Sequence, residues 1–226
     1  MTHHATDQKY YTAIPPNSLG ERLTIIARER MYDDFMRICS PTRESTVLDV
    51  GVADVEHDAA NALERHYPYL DQLTAAGAST GAIFRATFPG IKYVSIEPGE
   101  RLPFADKAFD VATSNAVLEH VGSRANQVMF VSEICRVARA VFIIVPNRFF
   151  PVEHHTSVPL LHYTNATFRF ICGLLGKQEW TQEKNLILMS RKYLLSLFPP
   201  ESHAQAGYTG LKMGALSSNL FIHVKA

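Results

Sequence analysis

The sequence has few cysteines, no long apolar run and no excess of charge of either sign. Three cysteines, Cys39, Cys135 and Cys172, are scattered over 226 residues, and no two of them have the spacing of zinc ligands. An odd number of distant cysteines is a poor disulfide framework, which predicts a reducing, cytoplasmic compartment. Lysine plus arginine equals aspartate plus glutamate at 22 each, so the basic surface of a nucleic-acid-binding protein is not expected.

Membrane and secretory signals are also missing. The densest apolar stretch, residues 140–145, is far shorter than the ~20 residues that cross a bilayer. The amino terminus lacks the basic start and apolar run of a signal peptide. Hydrophobic residues make up 46% of the chain and charged residues 19%, which is typical of a globular domain. We therefore expect a soluble protein that has no membrane partner.

The amino-terminal region predicts an arm and a helix. Residues 1–17 are polar, aromatic and broken by two prolines, which indicates irregular structure. Ser18 is a candidate N-cap, and apolar residues follow it at helical spacing up to Ile38. Arginines such as Arg28 lie off the apolar face. They belong either to a solvated face or to a lid helix that contacts a ligand.

The middle of the chain alternates apolar runs with helical patterns. The expected strands are 46–50, 73–78, 92–96, 108–114 and 140–145, and the expected helices are 58–66 and one that starts near Ser123. Such alternation predicts parallel βαβ units, and unbroken apolar runs predict strands covered on both faces. Residues 148–190 are too apolar for a free loop and are interpreted as an insertion over the mouth of the site. A short helix over 190–197 and an antiparallel pair over 209–215 and 219–225 should complete the sheet.

The turn after the first strand argues against a phosphate-bearing cofactor. A dinucleotide fingerprint needs G-x-G-x-x-G, but here Gly51 is followed by Ala53, Asp54 and Glu56. Carboxylates at this point repel a pyrophosphate, so an NAD(P)-dependent oxidoreductase is not expected. A ligand with a positive centre and no phosphate is compatible, and S-adenosylmethionine (SAM) is such a ligand.

Several motifs resemble class I SAM-dependent methyltransferases. Residues 102–110 read LPFADKAFD and residues 117–121 read VLEHV, similar to the family's LPF-x-D-x-x-FD segment and the helical turn that follows it. VLDVG at 47–51 resembles the first motif, and the runs 140–147 and 219–225 resemble the last two strands of the sheet. The PNR-FP-x-E-x-H-like segment that starts at Pro146 is similar to that of a bacterial branch of the family.

The resemblance implies a fold, a domain organisation and a cofactor. The fold is an α/β Rossmann-like three-layer sandwich with a mostly parallel seven-stranded sheet, one antiparallel strand and an inserted helical lid. The expected regions are a 1–44 arm and lid helix, a 45–147 SAM-binding core, a 148–200 acceptor-side insertion and 201–226 closing strands. SAM is the implied cofactor.

The resemblance also implies site residues by position. Asp49, Gly51, Ala53 and Asp54 would line the methionine end of SAM. Ser79, or less favourably Thr80, stands where family members carry an acid for the ribose hydroxyls. Glu97 lies near the acidic position that meets the adenine, and Ser114 and Asn115 would form the wall after the fourth strand.

Histidines are the candidate catalytic groups. His120 follows the fourth strand, and His154 and His155 follow the fifth. Each is interpreted either as a base for the acceptor or as a packed or backbone-bonded histidine. A metal site built from Glu153, His154, His155 and His162 is not expected, because adjacent histidines on an extended chain point in opposite directions.

The predicted function is methyl transfer from SAM to a small molecule, such as a hydroxyl or amine of a sugar or secondary metabolite. In-line displacement at the sulfonium carbon needs an acceptor held at about 3–3.5 Å. The alternative is a SAM-fold subunit that has lost catalysis and acts in binding or regulation. Exposed aromatics of the insertion would suit a homodimer.

Overall fold

The computed structural model describes residues 17–225. Most of the predicted 1–17 arm therefore lies outside the described residues. The strands are β1 (Val47–Val50), β2 (Leu73–Gly77), β3 (Lys92–Ser95), β4 (Phe109–Asn115), β5 (Ala138–Pro146), β6 (Gln205–Met213) and β7 (Leu216–Lys225). The α-helices are α1 (Leu19–Cys39), α2 (Ala62–His66), α3 (Ala82–Thr87), α4 (Arg124–Val137), α5 (Asn165–Leu174) and α6 (Arg191–Leu195). Short 3₁₀ turns lie at Leu70–Gln72, Leu118–His120, Gln178–Thr181 and Pro200–Ser202.

All seven strands form one sheet with the order β3-β2-β1-β4-β5-β7-β6. Neighbouring strands from β3 to β5 pair in parallel, whereas β7 runs antiparallel to both β5 and β6. The strand order reverses between β1 and β4, which is where ligands bind in doubly wound sheets. The predicted α/β Rossmann-like sandwich with a single antiparallel strand is confirmed.

Helices bury both faces of the sheet. On one face, Met31 and Phe35 of α1 pack with Val47 and Phe142. On the other face, Val131 and Ile134 of α4 pack with Leu48 and other strand residues, and α6 joins this cluster through Leu194. The strands β1 and β2 are buried at every position, as expected for strands covered on both sides. No helix among residues 17–225 has the length and apolar character needed to cross a bilayer.

Helix starts follow the prediction in two places and differ in a third. Ser18 and Ser123 cap α1 and α4, and each side chain accepts a hydrogen bond from a backbone N–H of the first turn. The predicted helix over 58–66 is wrong in its first half, because α2 begins only at Ala62. Asn61 takes a left-handed conformation (φ 54°), which interrupts a helix that would otherwise start at Asp58.

The closing strands are longer than predicted. The strand β6 begins at Gln205, β7 begins at Leu216, and β5 extends from Ala138 to Pro146. The start of β7 lacks an apolar pattern because Ser217 and Ser218 are polar. Both residues are nevertheless buried in the sheet. Their hydroxyl groups hydrogen-bond to Thr209 O and Asn219 Oδ1, which makes their burial tolerable.

Candidate functional site

A cavity of about 490 Å³ opens at the carboxyl ends of β1, β4 and β5. This volume lies within the range of small-molecule sites, about 300–1,000 Å³. The helix α1 covers one side with apolar residues and with Arg28, and residues 150–157 of the insertion cover another. The polar and charged residues of its lining include Asp49, Asn61, Asn115, His120, His154 and His155. The cavity therefore joins the predicted cofactor turn to the predicted histidines.

Gly51 allows the chain to turn sharply after β1. Its φ is +95°, and a Cβ built there would collide with the side chain of Val117. The N–H groups of Gly51 and Val52 both donate to Ala76 O on β2, at 2.7 and 3.2 Å. Only glycine meets both the conformational and the spatial requirement at this position.

Asn61 holds the next part of the turn. Its Oδ1 accepts the N–H of Ala53 at 2.9 Å, and its Nδ2 donates to Ala53 O at 2.8 Å. Ala53 is not among the residues with a positive φ, so its methyl group causes no backbone strain in the turn. Sequence reasoning missed Asn61. The signal was the Asn that precedes the helix, because asparagine tolerates the left-handed conformation better than most residues.

Asp49 forms a buried acidic pair with Glu64 of α2. The exposed fractions are 8% for Asp49 and 2% for Glu64. Burial raises the pKa of Asp49 to about 7, and hydrogen bonding and the charge of Arg28 only partly oppose it. Burial and the neighbouring Asp49 raise the pKa of Glu64 well above its usual value. A proton is therefore retained on the pair near neutral pH, and a cation beside Asp49 would favour its release.

Asp54 and Ser79 contact each other instead of lining the cavity. Ser79 Oγ donates to Asp54 Oδ2 at 2.9 Å, and the other oxygen, Oδ1, accepts the N–H of Phe84 at 2.9 Å. Burial pushes the pKa of Asp54 up, but these hydrogen bonds outweigh it and hold the pKa below the usual value. The Tyr93 hydroxyl donates to Ser79 O at 3.0 Å, so the loop after β2 is fixed from two sides.

The remaining predicted cofactor residues lie in different surroundings. Glu97 is exposed beyond β3 and does not line the cavity. Ser114 is fully buried, and its hydroxyl donates to Val50 O at 2.7 Å, so it braces the end of β1. Asn115 lines the cavity, and Ala116 beside it has a φ of +58°. A positive φ in a non-glycine residue is a strained conformation of the kind found at functional sites.

His120 and His155 form a pair at one edge of the cavity. Their Nε2 atoms lie 3.0 Å apart. The Nδ1 of His120 lies 2.6 Å from the backbone oxygen of Asn185, and the Nδ1 of His155 lies 2.8 Å from Glu153 Oε1. Trp180 packs beside the His155 ring, at 5.2 Å between centroids. Residues 35 positions apart in the chain thus meet in a closely bonded group.

Glu153 organises the loop that carries His155. Its carboxylate accepts the N–H groups of His155 and Thr156, the Thr156 hydroxyl and the His155 ring. Burial favours a higher pKa for Glu153, but the charge of His155 and these hydrogen bonds hold the pKa well below its usual range. Although burial opposes it, the same carboxylate raises the pKa of His155.

His154 lines the same cavity but does not join the pair. Burial lowers its pKa to about 4, so the ring is neutral at neutral pH. Its Nε2 is buried and has no hydrogen-bond partner among the described residues. His162 lies away from the cavity, with Nε2 bonded to Phe150 O at 2.9 Å. The structure thus brings His155 to His120 instead of to His154 or His162.

The sequence of the sheet core matches a known family. Residues 48–142 match the family model of a methyltransferase domain. These residues form a methyltransferase domain of the class I SAM-dependent type. The chain is accordingly a SAM-dependent methyltransferase enzyme, and SAM is its cofactor. No curated protein matches the chain in sequence.

Solved methyltransferase structures share the fold over most of the chain. A SAM-dependent methyltransferase from Thermotoga maritima is 12% identical and superposes with a TM-score of 0.57, covering 90% of this chain and 91% of that one. A SAM-dependent methyltransferase from Methanosarcina mazei is 13% identical with a TM-score of 0.52, covering 81% and 93% respectively. At such identities the likeness extends to the fold alone, so the acceptor of this methyltransferase has to be argued from its own cavity.

Proposed function

We propose that this methyltransferase transfers the methyl group of SAM to a hydroxyl or amine of a small molecule, such as a sugar or a secondary metabolite. The observation that carries the proposal is one cavity of about 490 Å³ whose lining includes both the Gly51 turn and the His120–His155 pair. Its cover, formed by α1 and residues 150–157, suits a small acceptor better than a macromolecule.

The methionine end of SAM is assigned to the turn after β1. Asp49, Gly51 and Ala53 line the cavity there, and Asn61 fixes the backbone of Ala53. The buried Asp49–Glu64 pair supports this assignment, because a shared negative charge in a dry site favours the ammonium and sulfonium groups of SAM.

The adenosine end is assigned to the loops after β2 and β3. These strands are neighbours with Gly77 opposite Ser95, so Ser79 and Glu97 follow adjacent strand ends. In this proposal, Asp54 orients the Ser79 hydroxyl toward the ribose and Glu97 meets the adenine. Asn115 forms the wall after β4, and Ser114 supports that wall from within the sheet.

The acceptor is assigned to the space between the Gly51 turn and the histidines. His120, His154 and His155 line it, and an imidazole in this position would serve as the base for an acceptor hydroxyl. Holding the acceptor in line with the methyl group accounts for much of the expected acceleration. The cytoplasmic location and a homodimer stay predictions.

The test combines cofactor binding with an acceptor panel. Calorimetry with SAM and S-adenosylhomocysteine is followed by a screen of sugars and phenolic or amine metabolites, with S-adenosylhomocysteine release as the readout. We expect His120→Ala to lower turnover on an active acceptor by at least about 100-fold with little change in SAM affinity. His203→Ala, at an exposed histidine on the surface, is the matched control. Tight SAM binding without transfer to any small acceptor would reject the acceptor class.

A further inference from the structure

The His120–His155 pair has a proton-count problem that a cation resolves. A backbone carbonyl can only accept a hydrogen bond, so His120 Nδ1 must carry a proton toward Asn185 O. Glu153 already accepts N–H and O–H donors from His155 and Thr156, so its carboxylate is ionised and His155 Nδ1 donates to it as well. A neutral imidazole has one N–H, and the two Nε2 atoms therefore present lone pairs to each other across 3.0 Å. A positive charge between them, either a proton or a metal ion, removes this repulsion.

A carboxylate completes the group. Glu119 is 1% exposed, and its Oε1 lies 4.0 Å from His120 Nε2. One ligand atom each from Glu119, His120 and His155 falls within 4.8 Å of the others. Two imidazoles and one carboxylate are a usual three-ligand set for zinc and related divalent ions. The spacing of these residues in the sequence does not indicate a metal site. Glu119 and His120 belong to the turn after β4, whereas His155 belongs to the insertion.

Both histidines already have the outer contacts that metal ligands need. Metal-binding histidines almost always donate their other ring N–H to a carboxylate or a carbonyl group. His155 does so to Glu153, and His120 does so to Asn185. These contacts fix the tautomer that leaves a lone pair on the Nε2 atom of each histidine.

The geometry also fits a divalent ion. Two nitrogen ligands of tetrahedral zinc lie about 3.3 Å apart, so the pair has to open by only about 0.3 Å.

We infer that Glu119, His120 and His155 bind a divalent transition-metal ion of the zinc type, with Glu153 and Asn185 as supporting contacts. Because His120 and His155 line the cavity, the fourth coordination position faces the space assigned to the acceptor. The metal site itself rests on the chain's own residues. Its effect on an acceptor hydroxyl, whose pKa a Lewis acid would lower, rests on the proposed function.

Direct metal binding tests the site. The full chain is stripped with a chelator, exchanged into chelator-free buffer and titrated with Zn²⁺ by calorimetry, and with Co²⁺ by visible absorption. The parent carries His3→Ala and His4→Ala, because adjacent histidines near the amino terminus could bind a metal ion by themselves. We expect one equivalent of Zn²⁺ in this parent and Co²⁺ absorption bands typical of tetrahedral coordination.

Variants assign the ligands. His120→Ala, His155→Ala and Glu119→Gln should each weaken Zn²⁺ binding by at least about 100-fold, and Glu153→Gln by about 10- to 100-fold. His203→Ala should bind Zn²⁺ like the parent. Circular dichroism and thermal unfolding check that each variant folds, and Glu119→Asp, which keeps the carboxylate, should retain part of the affinity.

Two results would overturn the site: no stoichiometric Zn²⁺ or Co²⁺ binding in the parent, or equal binding in the parent and His120→Ala. The pair would then hold a shared proton. SAM binding measured on the same samples separates this failure from that of the proposed function. We expect SAM to bind to the metal-free protein as well. If the metal binds but no small acceptor is methylated, the proposed function fails and the metal site stands.

Discussion

Replacing Glu64 by glutamine should change how the stability of this methyltransferase depends on pH. Glu64 and Asp49 are both buried, and the pKa of Asp49 is raised from 3.8 to about 7. A carboxyl group with a higher pKa in the folded state binds its proton more tightly there. Its contribution to stability is therefore present at low pH and is lost as pH rises from about 4 through about 7.

The size of this loss follows from the pKa change. A rise of about three pKa units corresponds to about 4 kcal/mol for the pair, which titrates as a unit. In Glu64→Gln, the second carboxyl group and its repulsion disappear, while the burial of Asp49 remains. We expect the part of the pH-dependent loss that comes from the pair to fall to about 2 kcal/mol or less.

Urea unfolding of both proteins at pH 4 and pH 8 measures the effect. The quantity compared is the change in the free energy of unfolding between the two pH values, so titrating groups common to both proteins cancel. Glu29→Gln, at an exposed position of α1, is the matched control and should behave like the wild type. Parallel pH dependence in the wild type and Glu64→Gln would refute the reasoning.

Three further predictions concern the cofactor turn and its neighbours. Gly51→Ala should destabilise the fold by about 2–4 kcal/mol in urea unfolding. The additional substitution Val117→Ala should recover part of the loss, because it removes the side chain that the new Cβ meets. No recovery would contradict the collision with Val117. Asn61→Ala, which frees the Ala53 backbone, should weaken SAM binding by about 10-fold in calorimetry, whereas Asn126→Ala in the first turn of α4 should not change it. Ser79→Asp should lower the free energy of unfolding by about 1–2 kcal/mol at pH 7, because it places a second carboxylate against Asp54. Ser79→Asn, which adds similar bulk without a charge, should cost less.

The fold could be predicted because its signals are local. Apolar runs such as Val47–Val50 and residues 140–145 mark buried strands, and Ser18 and Ser123 mark helix starts. The start of α2 was missed because it depends on the left-handed Asn61, whose conformation is fixed by two hydrogen bonds to Ala53 across the turn. Local propensity does not report such tertiary contacts.

The candidate site was predicted in part. Asp49, Gly51, Ala53, Asn115 and the three histidines all line one cavity, as their places after strand ends suggested. The sequence could not show which residues these side chains contact. Glu64 reaches Asp49 from a separate helix, and His155 meets His120 through an insertion whose path no strand pattern describes.

Cofactor binding at the Gly51 turn is the claim on which this account depends most. Calorimetric titration of the wild type and of Asp49→Asn with SAM tests it most directly, with His203→Ala as the control. We predict micromolar binding by the wild type, about −8 kcal/mol, and binding at least about 10-fold weaker in Asp49→Asn. No binding of SAM or S-adenosylhomocysteine by the wild type, or equal affinity in Asp49→Asn, would contradict the assignment of this cavity to the cofactor.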